Sequence, residues 1–356
     1  MSDIKIILED GVEFQGKSFG FQGSAAGEVV FSTAMTGYPE SLTDPSYRGQ
    51  ILVMSCPLTG NYGVPCNERD SSNIPMFFES DEIHVSALVT TDYTQNYSHW
   101  GADKSLDEWM KTCRVPGIYG VDTRALTKHL REKGTMPGKV IFQNRDILAY
   151  NPNDDNLVEK VSCREKIVYG TGSYRILLVD CGVKYNIIRE LIACDATVIR
   201  VPWNYGFLAE EYDGLLISNG PGDPKKCGIT VQNVAKALQR GKPVMGIGLG
   251  GQIMGLAAGA DTYKLKYGHR GHNQPVKQTG SNSAFITAQN HGFAIDTNTV
   301  SGEWEPYYVN LNDGSNEGIR HKTKPFFATQ FHCEPSGETA DKEYLFEKFI
   351  NAVKAG

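Results

Sequence analysis

Arg175-Ile176-Leu177-Leu178-Val179-Asp180 is an apolar run between two charged residues, and its reading decides the fold. Four consecutive aliphatic residues suit a strand buried on both faces, the condition of a parallel sheet covered by helices. The texture then alternates. Residues 184–193 read as helix, 197–202 and 214–218 as strands, 230–240 as helix, 243–247 as strand and 252–258 as helix. Strands alternating with helices predict βαβ units, an α/β fold with a mostly parallel central sheet flanked by helices. Right-handed crossovers bring the loops after successive strands to one edge, where such sheets hold their chemistry.

Working outward, the apolar pattern weakens upstream of this block. Asn151-Pro152-Asn153-Asp154-Asp155-Asn156 is polar and turn-rich, and Tyr169-Gly170-Thr171-Gly172-Ser173 is short and small. The expected organisation is a domain over residues 1–150, a linker over 151–173 and a second domain over 174–356. The first domain reads as β-rich with some helix. Residues 4–8 and 29–31 are strand-like, and turn signals such as Thr36-Gly37-Tyr38-Pro39 are dense. Ser105-Leu106-Asp107-Glu108 has the spacing of a capping box, and Thr123–Lys133 reads as a helix ended by Gly134. Trp100, Trp109 and Trp203 are expected in buried core, with an interface role as the alternative.

Composition bounds the function. The 356 residues suit about two domains. A formal net charge of -6 lacks the basic footprint that nucleic acid requires. No run approaches the ~18 apolar residues of a membrane helix, and the first ten residues hold no apolar leader segment. The eight cysteines include no CxxC pair, so neither a zinc site nor a dithiol motif is expected. Scattered thiols fit a reducing, cytoplasmic setting.

Three loops follow strands of the second domain: Ser218-Asn219-Gly220-Pro221-Gly222-Asp223-Pro224, Gly246-Ile247-Gly248-Leu249-Gly250-Gly251-Gln252, and Gln330-Phe331-His332-Cys333-Glu334-Pro335. In the last, period two places His332 and Glu334 on one face. The pair reads either as the base and orienter of a catalytic triad or as a structural strand-end pair. The middle loop has the form of a nucleophile elbow, a strand-to-helix turn that exposes one side chain above an oxyanion-stabilising helix start. Its centre is Gly248, which has no side chain. Gly246, Gly248 and Gly251 also fit a dinucleotide fingerprint. That reading is disfavoured, because the motif follows the fourth strand and no acid lies about 20 residues on.

At this point the chain resembles the class I glutamine amidotransferases, and more closely the small subunit of carbamoyl phosphate synthetase. The resemblance rests on Ser218–Pro224 with Lys264-Leu265-Lys266-Tyr267-Gly268-His269-Arg270-Gly271-His272-Asn273-Gln274-Pro275, Ala288-Gln289-Asn290-His291-Gly292-Phe293 and Asn312-Asp313-Gly314-Ser315-Asn316-Glu317-Gly318. In the first half it rests on segments such as Leu42-Thr43-Asp44-Pro45-Ser46-Tyr47 and Gly120-Val121-Asp122-Thr123-Arg124. The resemblance implies a glutamine site formed by Ser46, Gly220, Gly222, Leu249, Gln252, Asn290, Gly292 and Phe293, with His332 and Glu334 as triad members. It implies a partner, the large synthetase subunit, contacted by the first domain. ATP and magnesium belong on that partner; no cofactor or metal is implied here. The pathway implied is arginine and pyrimidine biosynthesis.

The departures bear on activity. The family's nucleophilic cysteine aligns with Gly248, Gly251 replaces a larger polar residue, and Cys333 stands where proline is common. Without a thiolate there is no thioester route, and glutaminase activity is expected to be lost or greatly reduced. The alternative is a non-catalytic glutamine-binding or scaffold subunit for an ammonia-using synthetase.

Overall fold

Ile176, Leu177, Leu178 and Val179 have no exposed surface, because the strand they form lies mid-sheet with helices on both sides. The computed structural model describes residues 3–334 and 345–355. Pro335, the last residue of the third loop, lies outside the described residues. The chain divides into two compact units, Met1–Asp155 and Asn156–Gly356, each taken here by itself.

The amino-terminal unit contains β1 (Asp3–Leu8), β2 (Glu13–Gly20), β3 (Ala25–Ser32), helix α1 (Tyr38–Thr43), β4 (Gln50–Met54), β5 (Val64–Pro65), β6 (Ala87–Thr90) and β7 (Ala102–Lys104). Helix α2 (Leu106–Thr112), β8 (Pro116–Tyr119), α3 (Thr123–Lys133) and β9 (Met136–Phe142) complete it. Seven strands close into a barrel in the order β1-β2-β8-β6-β4-β3-β9, and β9 pairs back onto β1. Closure leaves no edge to template unwanted pairing. Val30, Leu52 and Leu88 share a cluster with Leu42 of α1 and with Leu106 and Met110 of α2. Their neighbours Val29, Ile51, Val53 and Val89 alternate to the other face and are equally buried. That two-sided burial explains the unbroken apolar character of β4 and β6.

The helices begin and end where local chemistry directs. Ser105 Oγ accepts the Glu108 N–H at 3.2 Å, and Glu108 Oε2 accepts the Ser105 N–H at 3.0 Å, which satisfies two donors at the start of α2. Asp122 caps α3 through the Ala125 N–H, and Gly134 ends it. One expectation fails: Trp100 is 94% exposed, on a surface loop. Trp109 and Trp203 are half-buried.

The second unit contains β10 (Ile167–Tyr169), β11 (Tyr174–Asp180), α4 (Tyr185–Ala193), β12 (Ala196–Pro202), β13 (Gly214–Ile217), α5 (Gly228–Leu238), β14 (Val244–Ile247) and α6 (Leu249–Ala257). Then come β15 (Thr262–Gln278), β16 (Ala284–Ile295), β17 (Trp304–Asn310), β18 (Asn316–His321), β19 (Phe326–Thr329) and α7 (Leu345–Ala355). One sheet runs β10-β12-β11-β13-β14-β19-β18-β17-β15-β16. Strands β12, β11, β13, β14 and β19 are parallel; β18, β17, β15 and β16 continue antiparallel. Strand β10 pairs antiparallel with β12 at the opposite edge, so part of the stretch read as linker is a sheet edge.

Helices cover both faces. Leu177, Val179, Leu215 and Ile217 cluster with Val234 of α5 and with Leu249, Ile253 and Met254 of α6. On the other face, Gly214 lies against Phe349 and Val353 of α7. This is the α/β architecture expected from the alternating pattern. Among the described residues no helix is long and apolar enough to cross a membrane.

Candidate active site

Because β13, β14 and β19 are parallel neighbours, the loops after them leave the sheet side by side. The Gly248 N–H donates to the Thr329 carbonyl at 2.8 Å, which ties the end of β14 to the end of β19. Asn219, in the loop after β13, also lies against Gly248. The three loops marked in the sequence therefore meet at one edge.

The first loop is held by its own polar groups. Ser218 Oγ donates to the Asn219 carbonyl at 2.8 Å and accepts the Cys181 N–H at 2.9 Å. Asn219 Oδ1 accepts the Lys184 N–H at 3.2 Å. At Gly220 an added Cβ would sit 2.0 Å from the Cys181 carbonyl oxygen, so only glycine permits this approach. Gly222 follows two residues on, in the same turn.

Gly248 occupies the strand-to-helix turn with φ 56° and ψ -116°, a conformation costly for residues with a side chain. A Cβ built there would meet Asn219 Cβ at 3.4 Å, ordinary contact, and the Gln330 carbonyl oxygen at 3.9 Å. The turn thus has the strain of a nucleophile elbow and space for a side chain it does not carry. Helix α6 begins at the next residue, Leu249, and the N–H groups of a first helical turn lack intrahelical acceptors.

His332 is fixed by its backbone: its N–H donates to the Ala288 carbonyl of β16 at 2.9 Å. Its Nδ1 stands 2.9 Å from Glu334 Oε1, and both side chains are buried. The same oxygen accepts a hydrogen bond from Lys184 Nζ at 2.8 Å. Burial alone would raise the Glu334 carboxyl; Lys184 and His332 outweigh that and hold it well below the usual carboxylate range. His272 of β15 is nearby, and burial, with Lys184 and His332 adding, pulls its imidazole down to about 4. Neither Lys184 nor His272 was marked as a site residue in the sequence. A lysine two residues after the Gly182 turn was the available signal, but its partner is 150 positions away.

Gln252 is buried in α6. Its Nε2 donates to the Phe293 carbonyl and to Gln330 Oε1, both at 2.8 Å, which links α6, β16 and the third loop. Its Oε1 is buried without a hydrogen-bond partner. Asn290, Gly292 and Phe293 lie along β16, past the point where His332 pairs with Ala288. Ser46 belongs to the amino-terminal unit, where it is buried in a 3₁₀ turn and its N–H donates to Asp44 Oδ1 at 2.9 Å. The other predicted residues lie in the carboxy-terminal unit, around the ends of β13, β14 and β19 and along β16.

A strand-to-helix elbow, a neighbouring loop of close backbone turns and a buried His–Glu pair thus converge at one edge of the sheet. A profile described as glutamine amidotransferase class-I matches residues 177–352, and one described as carbamoyl-phosphate synthase small chain, CPSase domain, matches residues 6–140. The carbamoyl phosphate synthase arginine-specific small chain of Neurospora crassa is 47% identical over 357 residues, covering 98% of this chain and 79% of that one. The mitochondrial carbamoyl-phosphate synthase [ammonia] of Mus musculus is 50% identical over 355 residues, covering 99% of this chain but 24% of that protein. Multifunctional protein CAD of Squalus acanthias is 48% identical over 98% of this chain and 16% of its own length. The chain thus spans about a quarter of the mouse relative. It belongs to the carbamoyl-phosphate synthase small-chain family and carries that family's glutamine amidotransferase domain.

Proposed function

We propose that this chain is the glutamine-site subunit of a carbamoyl phosphate synthetase whose own glutaminase step is lost or greatly reduced. The observation that carries the reading is Gly248 at the positive-φ centre of the elbow, where a Cβ would fit in ordinary contact with its neighbours. In a cysteine-bearing relative of this architecture, a thiolate attacks the glutamine carboxamide. The C–N bond breaks, ammonia leaves with a proton delivered through the imidazole, and water then cleaves the glutamyl thioester. Here His332 can hold a proton and Glu334 with Lys184 can fix its ring, but no atom is available to form the thioester.

The rest of the proposal follows the family. Gly220, Gly222 and Leu249 contribute backbone to a glutamine pocket. Gln252, Asn290, Gly292 and Phe293 form its wall, and Ser46 is assigned to the amino-acid end of the ligand. Amino-terminal residues 1–150 contact a large synthetase subunit, which carries ATP and magnesium and makes carbamoyl phosphate for arginine or pyrimidine synthesis. Eight free thiols support a reducing, cytoplasmic location. That mouse and human relatives are named for ammonia supports a subunit that no longer feeds glutamine nitrogen to its partner. The test is carbamoyl phosphate synthesis by the reconstituted pair with glutamine or ammonia as nitrogen source. Ammonia alone is expected to serve; equal rates from glutamine overturn the proposal.

A second reading has its own observation. The buried, unpartnered Gln252 Oε1 is a ready acceptor for a ligand ammonium group. A subunit that binds glutamine without cleaving it would give a calorimetric binding isotherm with no ammonia released.

A further inference from the structure

On β16 positions 290 and 292 alternate in facing with positions 289 and 291. The first pair belongs to the proposed glutamine wall. The second faces a buried cluster with His269 of β15 and Glu317 of β18, all four buried. His269 Nδ1 lies 2.9 Å from Gln289 Oε1 and 3.3 Å from Glu317 Oε1. His291 Nε2 lies 3.0 Å from Gln289 Oε1 and 3.9 Å from Glu317 Oε1. Donor atoms around a tetrahedral zinc stand roughly 3.4 Å apart, given bonds of about 2.0–2.2 Å.

The protons of this cluster can be placed. Thr287 Oγ1 gives its hydrogen to the Gln274 carbonyl at 3.0 Å, so it must accept from Gln289 Nε2, also at 3.0 Å. That fixes the Gln289 amide with its oxygen toward the two histidines. His291 Nδ1 lies 2.9 Å from the Phe293 carbonyl and must be the N–H that donates to it. The neutral ring therefore turns the lone pair of Nε2 toward Gln289 Oε1, an amide oxygen with no hydrogen to share, and toward Glu317 Oε1. Glu317 Oε2 is buried without a partner, while Asn310 Nδ2 donates to Oε1 at 2.9 Å. The lone pairs of His291 Nε2, Gln289 Oε1 and Glu317 Oε1 converge on one point, where the metal-free protein offers the single proton of His269 Nδ1. That proton cannot also serve His291 Nε2, and a second proton on His291 would set two imidazolium rings 4.9 Å apart between centroids, a repulsion that one divalent ion in place of the proton avoids.

We propose that His269 Nδ1, His291 Nε2, Glu317 Oε1 and Gln289 Oε1 form a structural site for a zinc-type divalent metal ion. Two imidazoles and two oxygens suit a borderline-soft cation, and full burial suits a closed site. The outer shell is already in place. His269 Nε2 is 2.9 Å from Asp313 Oδ2, and His291 Nδ1 is bound to a backbone carbonyl, the two partners that orient metal-ligating histidines. The bound ion would stiffen the strand that forms the glutamine wall, because the Phe293 carbonyl takes both the His291 and the Gln252 hydrogens. Metal uptake releases the proton of His269 Nδ1 to solvent. This site goes beyond the reading given above and does not depend on glutamine chemistry.

The experiment uses the whole chain, stripped with a chelator, loaded with zinc chloride and desalted. About one zinc per chain is expected to remain on the wild type, with none beyond background on His291→Asn or Glu317→Gln. Asp313→Asn should keep the ligands and weaken affinity roughly 10–100-fold. X-ray absorption of the zinc-loaded wild type needs no variant, and should show imidazole and oxygen neighbours at about 2.0–2.2 Å. Zinc retention equal in wild type and variants, or a sulfur shell at about 2.3 Å from the thiols, overturns the site and leaves a hydrogen-bonded cluster only.

Discussion

Lys184 and Glu334, 150 positions apart, meet in a buried ion pair with Nζ 2.8 Å from Oε1, and the same oxygen stands 2.9 Å from His332 Nδ1. The carboxylate oxygen therefore faces both the Lys184 ammonium and the His332 ring. Glu334→Gln removes the charge that the buried Lys184 ammonium faces, a loss of about 3–5 kcal/mol. Urea unfolding of the variant measures it; a loss below about 1 kcal/mol shows the pair relaxing into water.

The same pair sets an acid limit. Glu334 has a depressed folded-state pKa, against an ordinary value of 4.5. The unfolded chain binds the proton more readily, so the contribution is complete above about 4.5 and is lost as pH falls toward the folded-state value. Wild-type stability should drop on that acid side more steeply than that of Glu334→Gln. Parallel curves for the two proteins between pH 6 and pH 3 argue against this assignment.

Gly248→Cys tests the elbow. The space around the Cβ is adequate, but the backbone angles are costly, so the variant should lose about 1–3 kcal/mol of stability. If the surrounding machinery is intact, it should release ammonia from glutamine on the order of 10⁶-fold faster than the parent. A glutamine-site alkylating reagent should label only the variant. No gain would direct attention to Gly251, where an added Cβ would stand 3.1 Å from the Thr329 carbonyl oxygen and 3.2 Å from Ala328 Cβ.

Ser105→Ala removes half of a reciprocal cap, since Glu108 can then only accept from the backbone. A loss of about 0.5–2 kcal/mol is expected, read by thermal or denaturant unfolding. Glycine at the same position should cost about as much or less, because it tolerates cap geometry.

Trp100 is exposed and stacks on His99 with ring centroids 5.2 Å apart. Its replacement by alanine should leave stability within about 0.5 kcal/mol. If the amino-terminal unit meets the synthetase there, the affinity of the pair should fall about tenfold or more. Unchanged affinity in a titration with the large subunit places that contact elsewhere on the surface.

Local signals carried much of the architecture. Four aliphatic residues in a row gave the buried strand β11, the Ser105–Glu108 spacing gave the cap of α2, and Gly134 gave the end of α3. These are short-range effects of burial, hydrogen bonding and backbone freedom, so the sequence alone determined them, along with the α/β class and the absence of a side chain at residue 248. Closure of the amino-terminal strands into a barrel, the pairing of Ile167–Tyr169 at the sheet edge and the exposure of Trp100 depend on which strands meet, and strand partners are set by long-range packing. The same holds for Lys184 beside Glu334, and for His269, Gln289, His291 and Glu317, whose donor atoms come from three strands and acquire a common centre only when the antiparallel end of the sheet assembles.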